Sequence, residues 1–241
     1  YYTGITEPGV VLVLSLDGES TLYVPNCGDI RKQWVYSPIQ LSQDNAAELK
    51  LNTVEMLGQK CAGFQLFPFF NESSYEQIIS LLSACIKDNQ TIFTLQPQNE
   101  HEYVEQRLVL NRLSVFIKKL DASLTDISTI VANMRRRKDM HEIDLLTKAV
   151  QITELAHEAA AHAIEPEALE CEVQASLEYI MLGSNARPAF PSIVATGKNA
   201  TILHYMQNMH DLQNDQLVVV DIGAAYQGYC ADITRTYPVN G

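Results

Sequence analysis

The chain has 241 residues, 46% hydrophobic and 19% charged, the composition of a globular protein long enough for one large domain or two ordinary ones. Twenty-nine acidic against seventeen basic side chains leave a formal charge of −12, which speaks against a nucleic-acid partner, because phosphate binding needs basic patches. Five scattered cysteines without a C-x-x-C pair, no run near the roughly 20 apolar residues of a membrane helix and no leader pattern at Tyr1 predict a cytoplasmic protein with free thiols and no membrane partner.

In chain order, VVLVLSLDGESTLYV predicts two strands, Val10–Leu16 and Thr21–Val24, joined at Asp17-Gly18, a hairpin turn signal. Helix-like stretches at Ser74–Ile86 and Glu100–Leu120 then alternate with strand-like Thr91–Leu95, an α/β pattern. A polar stretch near Asp121–Thr125 and the apolar segment Ile127–Met134 place a domain boundary near residue 130. The run Arg135-Arg136-Arg137-Lys138 is short and followed at once by Asp139, so it reads as a solvated helix entry.

Asp139 with Glu142 three residues on forms a capping box, and Leu145, Ala149, Ile152, Ala156, Ala159 and Ala163 follow as one apolar stripe. Pro166 suits the first turn of a second helix with the stripe Leu169, Val173, Leu177 and Ile180, closed by Gly183. Strand-like segments follow around Ile193–Thr196, Ile202–Tyr205, Leu217–Ile222 and Tyr229–Tyr237.

The last two carry an acid in each arm of a hairpin, Asp221 and Asp232. Halfway between them is position 226.5, so a turn on Tyr226-Gln227 sets them directly across from each other. Opposed carboxylates repel unless one is protonated or a cation sits between them. Three readings stay open: a divalent metal bound by hard oxygen donors, a proton-sharing acid pair, or a slipped strand with both acids in water. His204 in ATILHYM is either a hydrogen-bonded core residue or a functional one. The other five histidines show no ligand spacing, and His157 and His162 are five apart rather than four. Cys230, two before Asp232, reads as packing. No G-x-S-x-G, P-loop, G-x-G-x-x-G or H-E-x-x-H occurs.

VVVDIGAAYQGYCADITRTYPVNG is very similar to the metal-binding hairpin of the Xaa-Pro aminopeptidases (aminopeptidase P) and Xaa-Pro dipeptidases, the pita-bread metallopeptidases. PSIVATGKNATILHY resembles their segment with an active-site histidine, RRRKDMHEIDLLTKAVQIT their linker and first catalytic helix, and YYTGITEPGVVLVL a strand of their creatinase-type N-terminal domain. The resemblance implies an α/β (α+β) chain: a partial creatinase-like domain over 1–130, then the first part of a pita-bread domain over 131–241. It implies that Asp221 and Asp232 bind two divalent metal ions, manganese with cobalt or zinc as alternatives, and that Asp232 bridges them. His204 would lie beside the substrate and the metal-bound hydroxide. The implied activity is removal of an N-terminal residue before proline from a peptide substrate, by a homodimer or higher homo-oligomer. An Xaa-Pro dipeptidase is the nearest alternative; a non-catalytic pita-bread binding module is one from another class. The family completes its site with a histidine and two glutamates downstream, and this chain stops nine residues after Asp232. Both ends are therefore expected to be cut, and the chain as it stands to be inert.

Overall fold

The computed structural model describes residues 5, 9–26, 46–58, 75–96 and 103–240. It divides into two compact units, Tyr1–Arg136 and Arg137–Gly241. Residue 130, near which the sequence places a boundary, lies within the helix Ser128–Arg136.

In the first unit, β1 (Val11–Leu14) and β2 (Ser20–Pro25) form the expected hairpin, and β2 pairs in parallel with β3 (Thr53–Leu57). Gly18 takes φ +95°, a conformation open to glycine and closed to most side chains, and its N–H donates to the Ser15 carbonyl at 3.1 Å. Next come α1 (Glu76–Lys87), β4 (Ile92–Thr94), α2 (Val104–Phe116), α3 (Leu120–Ser123), β5 (Leu124–Asp126) and α4 (Ser128–Arg136), with β4 and β5 parallel. The start of the expected helix at Ser74 and that of the next at Glu100 lie outside the described residues. The single helix expected through Leu120 is two, because Ile117 turns extended (φ −110°, ψ 103°) and Lys119 is left-handed (φ 67°). Leu57, Tyr75, Ile78, Leu113, Ile117 and Leu120 form one buried cluster, and Leu22, Val24, Ala46 and Val54 another.

The second unit opens with α5 (Met140–Ala163), started by the predicted capping box. The Glu142 N–H donates to Asp139 Oδ1 at 2.9 Å and the Asp139 N–H to Glu142 Oε2 at 2.8 Å. The buried stripe is Ala149, Ile152, Ala156 and Ala160, with Thr153 and His157 among them; Ala160 takes the core place expected of Ala159. Helix α6 (Glu170–Gly183) starts four residues later than expected from Pro166. Glu167 is left-handed (φ 72°), which breaks the chain there, and Glu172 Oε2 accepts the Leu169 N–H at 2.8 Å. Gly183 is the last helical residue, and Asn185 (φ 57°) supplies the left-handed exit.

Then come β6 (Arg187–Pro188), β7 (Ile193–Thr196), a 3-10 turn (Gly197–Thr201), β8 (Leu217–Ile222), β9 (Ala224–Tyr226), β10 (Tyr229–Cys230) and β11 (Ile233–Pro238). Two antiparallel sheets result, in the orders β11-β8-β7 and β10-β9-β6. The strand expected over Ile202–Tyr205 is a turn following the 3-10 segment. Val173, Leu177 and Met181 of α6 join the α5 stripe in a core with Val194, Val218, Val220, Ile222 and Ala224. The Ala224 N–H donates to Thr153 Oγ1 at 2.9 Å, so even the polar position of the α5 stripe is satisfied by the sheet.

Candidate metal centre

Strand β8 alternates strictly. Val218, Val220 and Ile222 are fully buried, while Leu217 is exposed and Val219 and Asp221 are half-buried. The period of two puts Asp221 on the face away from the core shared with α5 and α6.

The hairpin turns one residue later than expected. Tyr226 pairs with Tyr229, so Gln227 (φ 47°) and Gly228 (φ 86°) are the turn. A two-residue turn with both central residues at positive φ matches the twist of the arms, and glycine takes the second place without strain. A turn on Tyr226-Gln227 would have forced the bulky Tyr226 left-handed instead. The register holds along the ladder: Cys230 pairs with Ala225, Ile233 with Ile222 and Thr234 with Asp221. Asp232 therefore stands opposite Gly223, diagonal to Asp221 rather than directly across. Ala231 is buried, Asp232 exposed, Ile233 half-buried and Thr234 exposed, so Asp232 points to the same side as Asp221. Thr234 Oγ1 donates to Asp221 Oδ1 at 2.6 Å. A Cβ on Gly223 would lie 2.7 Å from the Ala231 carbonyl carbon and nearer still to its oxygen, so only glycine lets the arms approach here. Cys230 is exposed rather than packed.

His204 is exposed in the turn, not on a strand. Its segment nonetheless lies on the aspartate side. Tyr205 is buried against Ile193 and Ala195, and Ile193 pairs with Asp221. Desolvation first, then its bond to Glu170, raises the Tyr205 pKa, so the hydroxyl keeps its proton and donates.

Two polar residues around this site, Glu170 and Asn208, went unrecognised in the sequence. Glu170, fully buried at the start of α6, accepts from the Thr196 N–H (2.8 Å), Asn199 Nδ2 (3.2 Å), Tyr205 Oη (2.7 Å) and the His210 N–H (3.0 Å). Asn208, buried and left-handed at φ 47°, accepts the Val194 N–H at 3.1 Å and donates to the Ser192 carbonyl at 2.7 Å. His157 faces the opposite side of the sheet, where Nε2 meets the Ile233 carbonyl at 3.0 Å and Nδ1 meets Tyr237 Oη at 3.1 Å. Desolvation lowers its pKa below 6.5, which makes it a neutral core histidine.

Residues 144–241 match the profile of metallopeptidase family M24. An Xaa-Pro aminopeptidase of Escherichia coli K12 is 29% identical over 252 aligned positions, covering 100% of this chain and 52% of the relative. One from Haemophilus influenzae is 39% identical over 121 positions, covering 50% and 28%. Among solved structures, proline aminopeptidase P II from Yersinia pestis superposes with a TM-score of 0.76 at 27% identity, covering 99% of this chain and 52% of that one. The chain thus spans about half the length of the relatives it matches along its whole length. The likeness bears out the expected mixed α/β architecture with a pita-bread part.

The M24 name implies a divalent metal. Among the described residues no group of three or more His, Cys, Asp or Glu is gathered to hold one. The two carboxylates fit as part of such a site: both are hard oxygen donors on one face of a ladder, and Thr234 orients one of them. Also among the described residues, no helix is long and apolar enough to cross a membrane.

Proposed function

We propose that the protein is a cytoplasmic, metal-dependent exopeptidase that releases the residue preceding a proline, with residues 1–130 as a creatinase-like N-terminal domain. Asp221 and Asp232 would hold two divalent ions, manganese foremost. The observation that carries the reading is the shared face of the two aspartates; the segment with His204 packs on that side of the sheet through Tyr205, against Ile193, the pairing partner of Asp221. Divalent cations on such carboxylates supply Lewis acidity and an activated water at neutral pH.

The chain's own groups do the rest. Asp221 keeps one oxygen oriented by the Thr234 hydroxyl, and Gly223 leaves the position opposite Asp232 free of a side chain. His204, exposed on the turn of that segment, is available to donate a hydrogen bond to the substrate carbonyl or to the oxyanion that develops from it.

The test is peptide hydrolysis by the full-length protein with and without Mn²⁺. We expect release of the first residue from Xaa-Pro-Yaa peptides, loss of activity on chelation, and a larger loss for Asp232→Asn than for His204→Ala. Turnover confined to Xaa-Pro dipeptides would make the protein a dipeptidase. Metal-independent turnover, or equal rates on Xaa-Ala peptides, would overturn the reading.

A further inference from the structure

Glu170 is the only charged side chain with no exposure among the described residues. Burying a carboxylate is expensive unless several donors replace its water. Here four do, and every one comes from a single stretch of chain. Oε1 takes the Thr196 N–H and Asn199 Nδ2; Oε2 takes Tyr205 Oη and the His210 N–H. As the first residue of α6, Glu170 also sits at the positive end of the helix, where a negative charge is favoured.

These bonds tie down the 196–210 segment at both ends. Thr196 and Asn199 fix its departure from β7, and Tyr205 and His210 fix its return. The Glu170 N–H donates to the His210 carbonyl at 2.9 Å, and the Leu212 N–H to the Ala168 carbonyl at 2.8 Å, so the start of α6 doubles as the return dock. Between the anchors stands His204, next to Tyr205. Tyr205 Oη also meets His210 Nδ1 at 2.9 Å. Since the hydroxyl proton goes to Glu170, the imidazole is the donor in that contact.

We infer that Glu170 is a positioning residue: its buried carboxylate holds the 196–210 segment on the Asp221 side of the sheet and thereby sets where His204 stands. The inference rests on the role proposed above for His204. It also has a part that is independent of that role, the clamp itself. No isosteric amide can replace the carboxylate. Glutamine turns an NH₂ toward two donors, and at least one backbone N–H, from Thr196 or His210, loses its acceptor.

The experiment compares Glu170→Gln, Tyr205→Phe and Asn199→Ala in the full-length, Mn²⁺-loaded protein. The latter two each remove one anchor and leave the carboxylate with a backbone donor, so they serve if Glu170→Gln folds poorly. Hydrogen exchange reads the clamp. Amides in 196–212 should exchange about tenfold faster in the variants, while those of β8 and α5 stay protected. Steady-state rates on an Xaa-Pro-Yaa peptide read the positioning. Because a misplacement near 1 Å removes up to about 10²-fold, kcat should fall at least about tenfold with KM changed less than about twofold. In a His204→Ala background the same substitution should lower kcat by less than about twofold. Unchanged exchange in 196–212 would overturn the clamp. Faster exchange with an equal loss of kcat in both backgrounds would overturn the positioning role. If His204→Ala alone left kcat/KM intact, the functional reading of His204 and the positioning role would fall together, while the exchange data would still decide the clamp.

Discussion

Gly223→Ala is the substitution with the sharpest expected consequence. The added methyl would sit 3.0 Å from Phe190 Cε1 and 2.7 Å from the Ala231 carbonyl carbon, with that carbonyl's oxygen closer still. Phe190 can rotate; the Ala231 carbonyl cannot. It is held by its neighbours, since the Ala231 N–H donates to the Ala224 carbonyl at 3.0 Å and Cys230 and Ile233 are locked in register with Ala225 and Ile222. The Gly223 carbonyl in turn accepts the Ala189 N–H at 2.8 Å. Relief therefore requires the hairpin arms to part at the residue that carries Asp232. Overpacking in a fixed backbone costs about 3 kcal/mol at the upper end of the usual range. For a chain of this length that is a fall in Tm of roughly 6–12 °C. Differential scanning calorimetry measures it, and calorimetric titration with Mn²⁺ measures the second effect, an affinity lowered at least about tenfold by the displaced carboxylate. A Tm within 2 °C of the parent, about 0.5–1 kcal/mol, would refute the steric argument, whatever the titration showed.

Thr234→Val removes the hydroxyl that orients Asp221, and a lost hydrogen bond to a charged group of about 1.5 kcal/mol should weaken Mn²⁺ binding roughly tenfold in the same titration. Asp139→Ala takes the acceptor from the α5 cap and should lower stability by about 1 kcal/mol in urea unfolding, whereas Asp139→Asn should restore most of it. His157 has its pKa lowered by burial, so below about 6.5 the unfolded chain takes up a proton that the folded one refuses. Stability should therefore be full above pH 6.5 and fall as the pH drops toward the folded pKa, and the slope of urea midpoints over that window should shrink in His157→Gln.

The legible parts of this molecule are those whose cause is local. Asp17-Gly18 turns a hairpin because Gly18 alone meets the φ there, and Asp139 with Glu142 caps a helix through bonds spanning three residues. The spacing and the resemblance of the 217–241 stretch supplied the aspartate pair, but Leu217–Val220 is an unbroken apolar run, so the face of Asp221 shows only in the alternating burial of β8. The misread parts have distant causes. ILHY looks like a strand because Tyr205 is apolar enough to be buried, yet it is buried as a loop residue by Ile193 and Ala195 on the sheet below. Glu170 looks like any first-turn acid. Its four partners lie 26 to 40 residues downstream, and no spacing rule links them.

The one-residue error in the turn has the most chemical content. Directly opposed, the two residues would stand about 5 Å apart at Cβ; on the diagonal the gap widens to somewhat less than about 7–8 Å. Coulomb repulsion falls as 1/r, so the offset weakens it before any cation arrives. The offset also decides what each acid faces. Opposite Asp221 is Thr234, whose hydroxyl donates to it, and opposite Asp232 is Gly223, which presents no side chain at all. In the expected register Asp221 would have faced Asp232 itself, with no donor for either. The Gln227-Gly228 turn thus sets the twist of the hairpin, and with it the spacing of the two carboxylates to which a cation would bind.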